Sequence, residues 1–269
     1  MKKSLLIVFI ILIIVVSVVS VFFYLGGKRK GHPPLGLKNI PDTPINKICL
    51  KISQPEDVYY CLAVTNQDTK YCQNLDMPNQ KKLCQGVAAR DISFCREIDE
   101  AEPRKMCFYE LAAITGNIDY CDEAEDAEHC YFNLISDFHW AGQAEKIKTE
   151  YCEKFPAQSP DRSTCFALKE KDVSLCQEGN PACLTLFKQD LSFCENIKPE
   201  EKIKCIRDRA GIAKDPSICE RAADQEVKDE CYFGYVSHFD PDVSLCERIQ
   251  SRMKRNACYL GAAIALSKR

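Results

Sequence analysis

Eighteen cysteines, the first at Cys49, fall into nine successive pairs, and that spacing limits what the chain can fold into more than any other feature. In order the pairs are Cys49 and Cys61, Cys72 and Cys84, Cys95 and Cys107, Cys121 and Cys130, Cys152 and Cys165, Cys176 and Cys183, Cys194 and Cys205, Cys219 and Cys231, and Cys246 and Cys258. Unit starts recur every 18 to 31 residues. That is the size of a helical hairpin and the signature of an internal repeat.

Each unit divides into two elements. The first opens on a candidate N-cap, Asp68, Asp91, Asp172, Asp190, Asp215 or Asp242, whose carboxylate can accept from first-turn amides. Apolar residues then stand one before, at and three after the cysteine, as in Phe94, Cys95 and Ile98, Phe193, Cys194 and Ile197, or Leu245, Cys246 and Ile249. This spacing predicts one face of a short helix. The second element follows a charged loop. In "RKMCFYELAAITGN", Pro103 suits the first helical position and Gly116-Asn117 the end. Aromatic residues follow its cysteine (Phe108, Tyr131, Phe166, Tyr232, Tyr259), and Ala88, Ala89, Ala112, Ala210, Ala262 and Ala263 would let neighbouring helices approach closely.

A hairpin sets both of its cysteines at similar height above the loop. Cys95 lies three residues before Ile98 and Cys107 four after Pro103, so local pairing is favoured. Joining Cys107 to Cys121 would oppose cysteines at different heights and leave Cys49 and Cys258 without partners. Nine local disulfides are therefore expected. A single hairpin is too small for a core, so stacking must supply it. Two further features stand out. "DISFC" and "CYFNLIS" at 91 and 130 are echoed by "DLSFC" and "CYFGYVS" at 190 and 231, as a duplicated four-unit block would give. Between Cys130 and Cys152 the spacing lengthens to 22, which predicts a long helix or a bend.

Ahead of the repeats, Leu5–Leu25 is uncharged and apolar, long enough to cross a hydrocarbon core of about 30 Å. A cleaved signal peptide is the rival reading, but signal h-regions run shorter. Lys2 and Lys3 on one side and Lys28, Arg29 and Lys30 on the other leave orientation open. The cysteines decide it, because cytosolic reductants would keep such thiols reduced. The expected layout is a signal-anchor over 1–27, a Pro- and Gly-rich linker over 28–45, and an extracytoplasmic repeat domain over 46–269. Only six of the 36 Lys and Arg and one of the 39 Asp and Glu precede residue 46, which leaves that domain at −8. Nucleic-acid binding, which needs a basic footprint, is excluded on that ground.

No catalytic, cofactor or metal site is expected. Zinc and iron–sulfur sites want cysteines two to four residues apart, and the tightest spacing here is seven. The acidic run Asp122, Glu123, Glu125, Asp126 and Glu128 beside His129 lacks the glycine of a calcium loop and is read as a solvated face. None of His32, His129, His139 and His238 sits in a nucleophile or zinc motif. Trp140, with Phe138 and His139 beside it, is the candidate interface cluster, set against the plainer reading of a core residue at a junction.

The pattern D-x-S-x-C-x-x-I, charged loop, C-[YF] and alanines resembles the cysteine-stapled helical-hairpin repeats of uncharacterised membrane-anchored surface proteins of microbes. It is similar to tetratricopeptide-type solenoids only in being stacked hairpins, and it lacks their Trp-Leu-Gly signature. The resemblance implies an all-α, disulfide-stapled α-solenoid at the cell membrane. Such an array would present a binding or scaffold surface to a protein or cell-envelope partner, without catalysis. A spacer or stalk without a defined ligand, and an enzyme whose site assembles only in the fold, are the alternatives.

Overall fold

The computed structural model describes residues 40–140, 143–177, 180–187, 199–222 and 224–268. The apolar segment Leu5–Leu25 and Asp190, Phe193, Cys194 and Ile197 lie outside them. Among the described residues every regular element is helical, and no helix is long and apolar enough to cross a membrane. Pro41–Arg269 forms one compact unit. It begins ahead of residue 46 because Thr43 caps the first helix and the Asn46 side chain donates to the Pro41 carbonyl.

The second element of each unit is the longer helix. We number these α1 (Pro55–Asn66), α2 (Pro78–Ala89), α3 (Ala101–Thr115), α4 (Ala127–Trp140), α5 (Pro160–Glu170), α6 (Pro181–Phe187), α7 (Pro199–Ala213), α8 (Gln225–His238) and α9 (Arg252–Ser267). Five begin on proline, where the missing amide would have had no helical partner. In α3 the proline sits third, since the helix starts at Ala101 rather than at Pro103.

The first element is the expected short helix, α-helical as at Pro44–Cys49, Ser93–Arg96, Thr149–Glu153 and Val243–Cys246, or 3-10 as at Tyr71–Asn74, Ile118–Glu123 and Pro216–Arg221, and never longer than six residues among those described. The aspartates explain why so little suffices. Asp68, Asp91, Asp172, Asp215 and Asp242 each accept from the backbone amide two residues on, at 2.9 to 3.0 Å, and lock the turn that aims the following cysteine.

The connection between units is equally short. Gln67, Arg90, Lys171 and Lys214 sit at φ between 52° and 56°, directly before Asp68, Asp91, Asp172 and Asp215. The aspartate amide then bonds back to Ala63, Gly86, Ala167 or Ala210 at 2.9 to 3.1 Å. A left-handed residue plus this back-bond reverses the chain at a helix end. Gly116, at φ 71°, is the left-handed residue before Asn117, whose amide donates instead to the Thr115 hydroxyl.

Eight disulfides are described, all within units: Cys49–Cys61, Cys72–Cys84, Cys95–Cys107, Cys121–Cys130, Cys152–Cys165, Cys176–Cys183, Cys219–Cys231 and Cys246–Cys258, with Cα–Cα distances of 5.4 to 5.7 Å. Cys205 is also disulfide-bonded, and the described residues include no free cysteine. A loop this short stabilises by about 3 kcal/mol in the chain-entropy account. In three units an arginine three before the second cysteine ties the turn to the helix. Arg104, Arg162 and Arg255 donate to the carbonyls of Ile98, Phe155 and Ile249.

The residue three after the first cysteine is buried in every unit where it is described, as with Ile52, Leu75, Ile98, Phe155 and Ile249. Ala88, Ala112, Ala210, Ala262 and Ala263 are buried between helices, whereas Ala89 is exposed at the end of α2. Gly86 shows how close the units come. A Cβ there would stand 3.1 Å from Cys107 Sγ and 3.2 Å from Cys95 Sγ, so α2 rests directly on the staple of the next unit.

An open solenoid would leave its two end units apart. Here α9 packs on α1 and on Pro44–Cys49, joining the last unit to the first. The register is that of successive units. Tyr131, Tyr232 and Tyr259, each just after a second cysteine, donate at 2.5 to 2.6 Å to Asp122, Glu220 and Glu247, each just after the matching first cysteine. A cation two residues after the next unit's first cysteine lies over each ring: Lys154 over Tyr131 and Arg248 over Tyr232. For Tyr259 that cation is Lys51 of the first unit, 5.4 Å from the ring centroid. Likewise buried Asp229 accepts from the Gln250 amide at 3.0 Å, and buried Asn256 accepts from the Ser53 amide at 3.1 Å.

Candidate functional site

The helices come in two lengths. In α1, α2 and α5 the left-handed residue falls six positions after the cysteine (Gln67, Arg90, Lys171), and in α3 and α7 nine (Gly116, Lys214). Three residues add about 4.5 Å, nearly one turn. The ends of α4, α8 and α9 also run beyond the shorter pattern. Where the lengthened ends of α3, α4, α8 and α9 converge they enclose a cavity of about 450 Å³.

Across this cavity the echoed segments meet. Aligned on Cys130 and Cys231, "CYFNLISDFHW" and "CYFGYVSHFDP" place Asp137 and His238 at the same position, seven residues on. These two pair with each other, Nδ1 to Oδ1 at 3.0 Å. Tyr109 donates to the other oxygen of Asp137 at 3.1 Å, so both carboxylate oxygens are engaged. Burial first, then Asp137, push the Tyr109 hydroxyl far above its ordinary pKa and keep it a donor. Phe138 and Phe239, also equivalent, both line the cavity. Gly116 and Gly211 receive them, and in α7 a Cβ at Gly211 would overlap the Phe239 ring. Ser237, the equivalent of Ser136, faces the cavity with a buried hydroxyl that makes no hydrogen bond.

The mouth is cationic. Lys268, at the end of α9, donates to the Ala113 carbonyl at 3.0 Å. Burial of its ammonium lowers its pKa against the raising influence of Asp137 and Glu110. Glu110, partly buried and accepting from Tyr60, has its pKa raised by burial. Lys146 reaches the same mouth from the turn Ala144–Lys146 in the long Cys130–Cys152 link, which is a bend after α4 rather than one long helix.

No family model, curated protein or solved structure matches this chain.

The expected interface cluster is divided. Phe138 is buried against the cavity, so it is not a surface anchor. His139 packs on Phe187, and burial, with Lys171 nearby, pushes its pKa down to about 4. Trp140 ends α4, and its side chain lies outside the described residues. The acidic run serves the joints between units. Asp122 pairs with Lys154, Glu123 with Arg96, Glu125 with Arg104 and Asp126 with Lys105. Among the described residues no three His, Cys, Asp or Glu side chains gather as metal ligands. The site residues missed in the sequence are Asp137, Lys146 and Lys268, and His238 was set aside there for want of a motif. The cysteine gap, 11 residues after short helices and 14 after α3 and α7, was the available signal for the extra turn.

Proposed function

We propose that the chain is a non-catalytic binding or scaffold protein of the extracytoplasmic surface, held at a membrane by Leu5–Leu25 and presenting its repeat unit to a protein or envelope partner. Among such proteins it would belong with the membrane-anchored, cysteine-stapled repeat proteins that its motifs resemble. The observation that carries this reading is the engagement of every described cysteine in a disulfide, eight of these bonds within single units, which suits an oxidising compartment and leaves no thiol for chemistry among the described residues. Closure of the last unit on the first speaks for a rigid platform and weighs against an extended stalk.

A second reading, an enzyme, is favoured by one observation, the carboxylate-oriented His238 in a cavity. Against it, the Ser237 hydroxyl is not bonded to that histidine. Two experiments test the proposal. Membrane-impermeant thiol reagents on intact cells should label the chain only after an impermeant reductant; no labelling even after reduction sinks the outside placement, and labelling without reductant sinks the disulfides. Envelope extracts passed over the full chain should yield a component retained by the oxidised form and lost on reduction, and identical retention by both forms counts against a folded binding surface.

A further inference from the structure

We propose that the cavity between α3, α4, α8 and α9 binds a small organic anion carried on an apolar body, of the arylalkanoate class. At about 450 Å³ it lies within the range of small-molecule pockets. Leu134, Phe138, Val236, Phe239 and Ile264 supply walls for an apolar body. The charge at the mouth selects the head. Asp137, the carboxylate lining the cavity, is already engaged by His238 and Tyr109. Lys268 donates its one hydrogen bond to the Ala113 carbonyl and feels Asp137 and Glu110 only at longer range, and Lys146 has no ion-pair partner among the described residues. Two ammonium groups in no direct ion pair, at a cavity that also holds the unbonded Ser237 hydroxyl, fit an incoming carboxylate, and charge-assisted bonds of this kind are the strong ones.

The positions of these two lysines strengthen the case. Neither belongs to the repeat pattern: Lys146 sits in the long link that interrupts it, and Lys268 in the tail after the last unit. Lys146 is exposed, and its side chain makes no hydrogen bond or ion pair among the described residues. Its place at the mouth is explained by a ligand rather than by the frame. The site is independent of the macromolecular partner proposed above.

Fluorine NMR of 3-(4-fluorophenyl)propanoate against the full chain in lipid nanodiscs, with empty nanodiscs subtracted, tests this directly. The uncharged amide and the amine of the same body are the comparators. Saturable binding of the carboxylate, at least tenfold tighter than the amide and weaker still for the amine, is expected. Lys146→Gln should weaken it about tenfold, the loss of roughly one charged hydrogen bond, with an unchanged melting profile. Ala265→Phe, which narrows the cavity without touching a charge, should abolish it. Equal binding of carboxylate and amide, an unaffected Lys146→Gln variant, or no saturable binding overturns the proposal.

Discussion

Lys51 and Glu247, 196 residues apart, meet at 3.1 Å in the place that Arg248 and Glu220 take between the eighth and ninth units and Lys154 and Asp122 between the fourth and fifth. The seam between chain ends is therefore one more joint of the repeat. It holds no disulfide, so its strength lies in packing and hydrogen bonds.

Within that seam the buried bond outweighs the exposed ion pair. Lys51 and Glu247 are 48% and 57% exposed, so Lys51→Gln should cost under about 1 kcal/mol. Asn256→Leu strands the Ser53 amide and hydroxyl and should cost about 1 to 3 kcal/mol. Denaturant unfolding gives the two values, and hydrogen exchange should quicken in residues 44–53 for Asn256→Leu. A larger loss from Lys51→Gln would reverse the assignment.

Gly86 carries the contact between neighbouring staples. Gly86→Val places methyl groups beyond a Cβ already 3.1 Å from Cys107 Sγ and should lower stability by about 1 to 3 kcal/mol through overpacking. Removing that staple, as Cys95→Ser with Cys107→Ser, should cost about 3 kcal/mol. Thermal unfolding of both variants checks the order.

Acid should weaken the molecule in two windows. His139 has a pKa near 4 against an ordinary 6.5, so folding favours its neutral form. The stability this gives is full above about pH 6.5 and is lost as the pH falls toward 4. His139→Gln should remove that slope, and an unchanged profile would show the ring to be freely protonated.

Lower on the scale the turn aspartates come into play. Hydrogen bonds from Ser93 to Asp91 and from Ser174 to Asp172 hold these carboxyls below their ordinary 3.8. Their contribution is present above about pH 4 and disappears as the pH drops through the folded values. Replacing both with asparagine, which can still accept from the amide but carries no charge, should lower stability at pH 7 and bring it close to that of the parent as the pH falls through the folded values. Urea midpoints at pH 7 and pH 3 measure both ends.

The repeat was legible because its signals are local. Asp91, Cys95, Ile98 and Cys107 lie within 17 residues, and turn chemistry and cysteine spacing read directly at that range. The first element is the short helix its apolar spacing implied, and in unit after unit one aspartate bond sets the turn that opens it. The seam was not legible. Whether the small rotation from unit to unit adds up to closure is not written in any single unit, and Asn256 gives no local sign of its partner 203 residues away. The cavity was half legible. The echo of "CYFNLIS" in "CYFGYVS" marked the two segments, but their facing each other depends on the whole path between them.

Open stacks of helix pairs generally finish in specialised terminal repeats whose outer face is polar, because the last apolar cross-section would otherwise meet water. With α9 seated on α1 each end hides the other's, and the first and last units can remain ordinary members of the series. The same geometry forbids drift in copy number. An open stack can gain or lose a repeat and merely change length, whereas a series that must return to its own beginning tolerates only the tally that brings Ser53 back to Asn256.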